Sequence, residues 1–175
     1  MKKTAATILL LCLLATGLIV LSACNEAGKY NAVLYSGADD WFLGEFLDAH
    51  RTKGAFYPNE NYIEGVSSWN DRYIKDNTSP STYQCVIDNE EDFGKVFAEF
   101  PPGVDFAEDM LVVYFYTETD PKELRLDRLT LEDGVLRVEC KFPFSTKNDT
   151  VAPYRSCLVL KMDKVEITAA SFVIE

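Results

Sequence analysis

The stretch Leu124-Arg125-Leu126-Asp127-Arg128-Leu129-Thr130-Leu131-Glu132-Asp133-Gly134-Val135-Leu136-Arg137-Val138-Glu139-Cys140-Lys141-Phe142 reads as two strands joined at Asp133-Gly134. An Asp-Gly pair between alternating apolar residues is a strong hairpin signal, because the two-residue turn that matches strand twist needs positive φ at both central positions. With that turn, Leu131 faces Leu136, Leu129 faces Val138 and Arg128 faces Glu139. Beyond Arg128 the apolar parity of the first strand slips to Leu126 and Leu124. A slip of one residue would send every later side chain to the wrong face. One extra residue at Asp127-Arg128 repairs it, so the pattern predicts a β-bulge there, with Leu126 opposite Cys140 and Leu124 opposite Phe142.

Upstream, residues 110–117 are almost continuously apolar, as expected of a central strand covered on both faces. Residues 88–100 carry the clearest helix pattern. Asp88 is the expected cap, with Asn89, Glu90 and Glu91 in the first turn, and Phe93, Val96, Phe97 and Phe100 form one stripe at three-and-four spacing. Pro101-Pro102-Gly103 is the expected stop. The acidic run lacks the ligand spacing and glycine of a calcium loop. Residues 82–87 read as a strand holding Cys85.

Residues 37–51 read as a first helix capped by Asp39 or Asp40, with Leu43, Phe46, Leu47 and His50 on one face. His50, the one histidine of the chain, falls in its last turn. No serine or cysteine motif points to it as a base. Residues 30–35 are either a short strand or the approach to that helix. Between them and the strand at 82, residues 52–81 are rich in Asn, Ser, Gly, Asp and Pro and carry Tyr57, Tyr62, Trp69 and Tyr73. These four are the candidate ligand-binding residues, because rings beside amide and hydroxyl groups suit a sugar or a peptide. The plainer expectation, and the one adopted, is that the rings lid the core.

Downstream, residues 143–153 form a polar loop. Residues 155–162 and 165–174 are expected to make a last hairpin about Asp163-Lys164, matching Leu158, Leu160 and Met162 with Ala169, Ile167 and Val165. Parity puts Cys157 on the face away from Leu158, which argues against a Cys140–Cys157 disulfide. Free buried thiols are the expectation for Cys85, Cys140 and Cys157. The fold class is therefore α+β, a mostly antiparallel sheet of meanders and hairpins with one or two packed helices.

The run Phe100-Pro101-Pro102-Gly103-Val104-Asp105-Phe106-Ala107-Glu108-Asp109-Met110-Leu111-Val112-Val113-Tyr114 follows an acid-capped helix. It precedes an Asp-Gly hairpin and a Thr150-x-x-Pro153-Tyr154 segment. Over residues 82–175 this order resembles the PrcB C-terminal-domain family of small bacterial envelope proteins, named after a protease-complex component. The resemblance implies a mostly antiparallel β domain with a packed helix, and carries over no catalytic residue. That family's glycine-rich, tyrosine-containing turn after the central strand is replaced here by Glu118-Thr119-Asp120-Pro121-Lys122-Glu123.

The N-terminus supplies an address. Lys2 and Lys3 precede an apolar run over residues 5–21, and Leu21-Ser22-Ala23-Cys24 closes it in the order of a secretory signal. The last four residues resemble the lipobox of bacterial lipoproteins, in which the chain is cut before the cysteine and the cysteine is acylated. The expectation is a signal peptide over 1–23, lipidation of Cys24, a tether over 24–29 and one globular domain over 30–175. The alternative is a transmembrane helix, for which about 17 apolar residues are barely long enough. Cleavage before Cys24 leaves 152 of the 175 residues and, since the removed segment holds two lysines and no acid, moves the net charge from −11 to −13. Such a chain is repelled by nucleic acid and by anionic lipid, so its membrane partner is reached through the anchor.

No phosphate loop, metal-ligand spacing or catalytic constellation is present in the pattern. Scattered acids such as Asp105 or Asp120 support a hydrolase only if folding pairs them. No enzyme activity and no cofactor or metal are expected. The functional expectation is an exported lipoprotein domain of the cell envelope that binds a protein partner or small ligand, with carbohydrate binding through residues 57–73 as the alternative.

Overall fold

A computed structural model describes residues 30–119, 124–142 and 152–175. The signal segment, Cys24, the tether, Asp120 and most of the polar loop after Phe142 therefore lie outside the described residues. The strands are β1 (Ala32–Ser36), β2 (Phe56–Pro58), β3 (Tyr73–Lys75), β4 (Thr82–Ile87), β5 (Asp109–Glu118), β6 (Arg125–Glu132), β7 (Val135–Lys141), β8 (Tyr154–Asp163) and β9 (Ala169–Ile174). Two short helices, α1 (Gly44–Ala49) and α2 (Glu90–Val96), accompany them.

β5 is the axis of a four-stranded antiparallel sheet ordered β1-β8-β5-β4. Its continuous apolar run has the expected cause, since both faces are covered. Met110, Val112 and Tyr116 join one core with Leu158, Leu160 and Met162 of β8 and with Leu126, Leu129, Leu136, Val138 and Cys140 of β6 and β7. Leu111, Val113 and Phe115 join a second core with Cys157 and Val159, closed by Phe42, Val96, Phe97 and Phe100. The chain is layered, with helical segments on one face of the four-stranded sheet and the β6-β7-β9 sheet on the other.

The β6–β7 hairpin forms with the pairing read from its sequence. Leu131 faces Leu136, Leu129 faces Val138, Arg128 faces Glu139 and Leu126 faces Cys140, with the register shift between Leu126 and Arg128. Asp133 and Gly134 take φ of 50° and 79°, the positive pair that the tight turn requires.

The last hairpin is not formed. β8 instead pairs with β1 and β5, and β9 runs parallel to β7. The chain leaves β8 at Asp163, where Asn31 N donates to its carboxylate at 2.8 Å, and Lys164 N donates to Glu108 O at 2.7 Å. It then crosses to the other sheet, where the Gly134 carbonyl accepts from Thr168 N at 2.8 Å and starts β9. Parity survives this rearrangement: Cys157 lies in the helical-side core, Leu158 and Cys140 in the other, and all three described cysteines are free.

Both helices are shorter than their patterns. The cap of α2 is Asn89, whose Oδ1 accepts from Asp92 N at 2.9 Å, rather than Asp88. The helix ends at Val96, before the prolines, because Phe97 turns extended and bridges to Phe42. The expected helix over 37–51 divides into a 3-10 turn at Asp39–Trp41 and α1, and neither Asp39 nor Asp40 caps it. The break at Phe42 drives that ring into the core against Phe97 and Phe115.

Candidate functional site

Residues 52–81 are not an irregular lid. Phe56–Pro58 and Tyr73–Lys75 pair as an antiparallel ribbon, with Phe56 opposite Lys75, Tyr57 opposite Ile74 and Pro58 opposite Tyr73. The ribbon is pinned to the large sheet from inside. Thr52 is fully buried and its N–H donates to the Tyr57 hydroxyl at 2.7 Å. The Thr117 hydroxyl donates to Lys53 O at 2.8 Å and lies 3.0 Å from Thr52 Oγ1. Phe56 N donates to Pro153 O at 2.8 Å. The guanidinium groups of Arg51 and Arg155 lie 4.9 and 5.8 Å from the Tyr57 ring centre. Tyr57 is thus a structural anchor.

Once Tyr57 points inward, strand alternation sends Phe56, Pro58, Tyr73 and Lys75 to the other face. There Phe56, Trp69, Asn70, Tyr73, Ala152, Pro153 and Tyr154 surround a hollow of about 360 Å³. Trp69 is 69% exposed, Tyr73 49% and Phe56 37%. The Arg72 guanidinium sits 4.8 Å from the Trp69 ring centre and 5.8 Å from that of Tyr73. The connecting loop is built by Asn59, whose Nδ2 donates to Asp71 O at 2.6 Å and whose Oδ1 accepts from Asn61 N at 3.0 Å. At the ribbon's other end the Asp76 carboxylate accepts from Ser79 N, Thr78 N and the Ser79 hydroxyl at 2.8–2.9 Å. Those donors, Ser79 N first, hold its pKa down at about 2.

Of the four rings singled out in the sequence, the structure brings Trp69 and Tyr73 together at the hollow. It buries Tyr57 beneath them and leaves Tyr62 half-buried outside the lining. The expectation that all four lid the core therefore holds for Tyr57 and fails for Trp69 and Tyr73, because the segment packs through one ribbon face alone. Phe56, Asn70, Pro153 and Tyr154 were not anticipated. The alternation of Phe56 with Tyr57 was a signal for the first of these.

No family model, curated protein or solved structure matches the chain.

Several other chemistry-bearing groups among the described residues have structural partners. His50 donates from Nδ1 to Phe46 O at 2.8 Å, and its ring packs at a tilt against Tyr83, with centres 3.9 Å apart. The Cys157 thiol donates to Asp39 Oδ1 at 3.1 Å, and burial, followed by the Asp39 charge, pushes its pKa far up. Arg155 lies beside the same carboxylate at 4.0 Å and donates to Leu47 O. Asp105 builds a turn, its Oδ1 accepting from Ala107 N at 2.9 Å and its own N–H donating to Asp109 Oδ2 at 3.0 Å. A groove of about 690 Å³ between β4 and residues 164–168 is spanned by Lys164, whose Nζ donates to Asp88 O and Phe106 O at 2.8 and 3.0 Å. Among the described residues no cluster of His, Cys, Asp and Glu is grouped to hold a metal, and no helix is long and apolar enough to cross a membrane.

Proposed function

We propose that this chain is an exported, lipid-anchored domain of the cell envelope that binds a protein partner, without catalysis, through the hollow edged by Phe56, Trp69 and Tyr73. One observation carries the reading. Among the described residues eight large apolar side chains are exposed, and six of them, Phe56, Ile63, Val66, Trp69, Tyr73 and Ile74, come from one segment. Three of the six, Phe56, Trp69 and Tyr73, line the hollow, while Ile74 shares the opposite ribbon face with Tyr57. Scattered apolar exposure is ordinary, whereas its concentration in one segment marks an interaction surface. Exposed Trp and Tyr are the side chains most often found to dominate protein contacts. The segment is also rigidly seated, through Thr52, Tyr57, Thr117 and the Phe56–Pro153 bond, so little ordering is lost on binding.

The address rests on the lipobox, with Cys24 as the acylated residue and residues 24–29 as the tether. Membership of the PrcB C-terminal-domain type is part of the same reading. The helix α2, the central strand β5 and the Asp-Gly hairpin, on which that resemblance rests, are all formed.

A second reading, carbohydrate binding, is favoured by a specific arrangement: the Trp69 and Tyr73 rings stand at a hollow beside the Asn70 amide. The lining supplies few other fixed polar groups, which is why the protein partner ranks first. The two separate in one comparison, a crosslinking pull-down from the native membrane run alongside a glycan array, each with the wild-type chain and Trp69→Ala. A crosslinked protein lost in the variant supports the first reading. Glycan binding lost in the variant, with no crosslinked protein, replaces it with the second.

A further inference from the structure

The hollow carries charge as well as rings. The chain has 28 acids and 17 bases; 12 of the bases lie among the described residues, and eight of those 12 are engaged. Arg51, Lys95, Arg128, Arg137, Lys141, Arg155 and Lys161 all lie within ion-pair distance of a carboxylate. Lys164 is held by two carbonyls. Among the described residues the bases without such partners are Lys53, Arg72, Lys75 and Arg125, and three of these four belong to the ribbon segment.

One of those three is placed on the exposed rings themselves, and a second shares their ribbon face at its edge. Arg72 lies over Trp69 and Tyr73, a geometry that leaves the N–H edge of a stacked guanidinium open to a carboxylate. Lys75 shares the ribbon face of Phe56 and Tyr73 and is the cross-strand partner of Phe56. Elsewhere the protein's surplus of acid repels anions. Among the described residues, unpaired cations coincide with exposed aromatic surface at this patch.

We infer that the partner presents an extended acidic peptide segment, in which aspartate or glutamate flanks an apolar anchor. The anchor enters the hollow between Phe56, Trp69 and Tyr73, and the flanking carboxylates pair with Arg72 and Lys75. This rests on the reading of the hollow as a protein-binding site and adds the chemistry of what binds there. Both cations are exposed, so their contribution is in orientation and encounter rate as much as in affinity, and it is screened by salt.

The test is selection from a displayed library of random dodecapeptides on the detergent-solubilised full chain, with counter-selection against Trp69→Ala. Enrichment of peptides with two or more acids around an aromatic, proline or aliphatic anchor supports the inference. Those peptides should bind the Arg72→Gln, Lys75→Gln double variant about three- to tenfold more weakly. They should also weaken between 50 and 300 mM salt with the wild type. Trp69-dependent peptides without acid enrichment, indifferent to the double variant, overturn the acidic inference and leave the binding site standing. Failure to enrich any Trp69-dependent peptide overturns both. Circular dichroism of each variant confirms that loss of binding is not loss of fold.

Discussion

Trp69 is the side chain on which the proposed contact turns, and its exposure separates function from stability. Little of its ring is covered by the fold, so Trp69→Ala should change the unfolding free energy by no more than about 0.5 kcal/mol while abolishing partner binding. Leu111→Ala, at a fully buried position of the central strand, should cost about 2–5 kcal/mol. Denaturant titration of the two variants checks the contrast. The cysteines behave as core residues. Burial pushes the Cys140 thiol up to about 12, with Asp127 adding to it, and raises Cys157 further. Unreduced protein should therefore show no fast-reacting thiolate at Cys140 or Cys157 when native, and should yield Cys85, Cys140 and Cys157 as free thiols when denatured. Finding only Cys85 free would reveal a disulfide that the two-core arrangement forbids.

The ribbon and the β6–β7 hairpin show which elements a chain announces. Tyr57→Phe removes the acceptor for the buried Thr52 N–H, and about 1–3 kcal/mol is the expected cost. Amide exchange should rise across residues 52–81 before it rises in β5. Asp76 gives the ribbon an acid limit. Its folded value near 2 lies below the ordinary 3.8, so its stabilisation is complete above about pH 4 and is lost as pH falls toward 2. Fluorescence of Trp69 in a Trp41→Phe background should report that loosening, and Asp76→Ala should remove the pH dependence. The hairpin was legible down to its bulge because its partners are adjacent in sequence and a wrong register exposes leucine. The partners of β8 and β9 were not. Apolar parity tells which side chains share a face, and it correctly separated Cys157 from Leu158. It does not tell which strand lies alongside, and β8 pairs with β1 and β5 rather than with the segment that follows it. Trp69 and Tyr73 were legible as candidates, but their exposure depended on which ribbon face docks. Tertiary bonds from Thr117 and Pro153 settle that, and no local pattern encodes them.

At the scale of the molecule, the layers leave one segment outside the two cores, and the proposed function lies there. The large sheet is committed on both faces, and the small sheet covers its inner core with one of its own. The ribbon adds little to either core, yet it concentrates the exposed apolar surface and the unpaired cations. Under the lipoprotein reading, a short tether holds the start of the folded domain within about 20 Å of the bilayer at full chain extension. Cys24→Ser should then move the protein from the membrane fraction to the soluble fraction without altering its unfolding midpoint. Retention in the membrane would favour the transmembrane alternative. The most direct test of the binding claim places a photoreactive amino acid at Tyr73 in the anchored protein on intact cells, with the same probe at Glu132 on the far hairpin as control. A discrete adduct at Tyr73, absent at Glu132 and lost when Trp69→Ala is added, is the predicted result. Equal labelling at the two positions, or an adduct that survives Trp69→Ala, would contradict it.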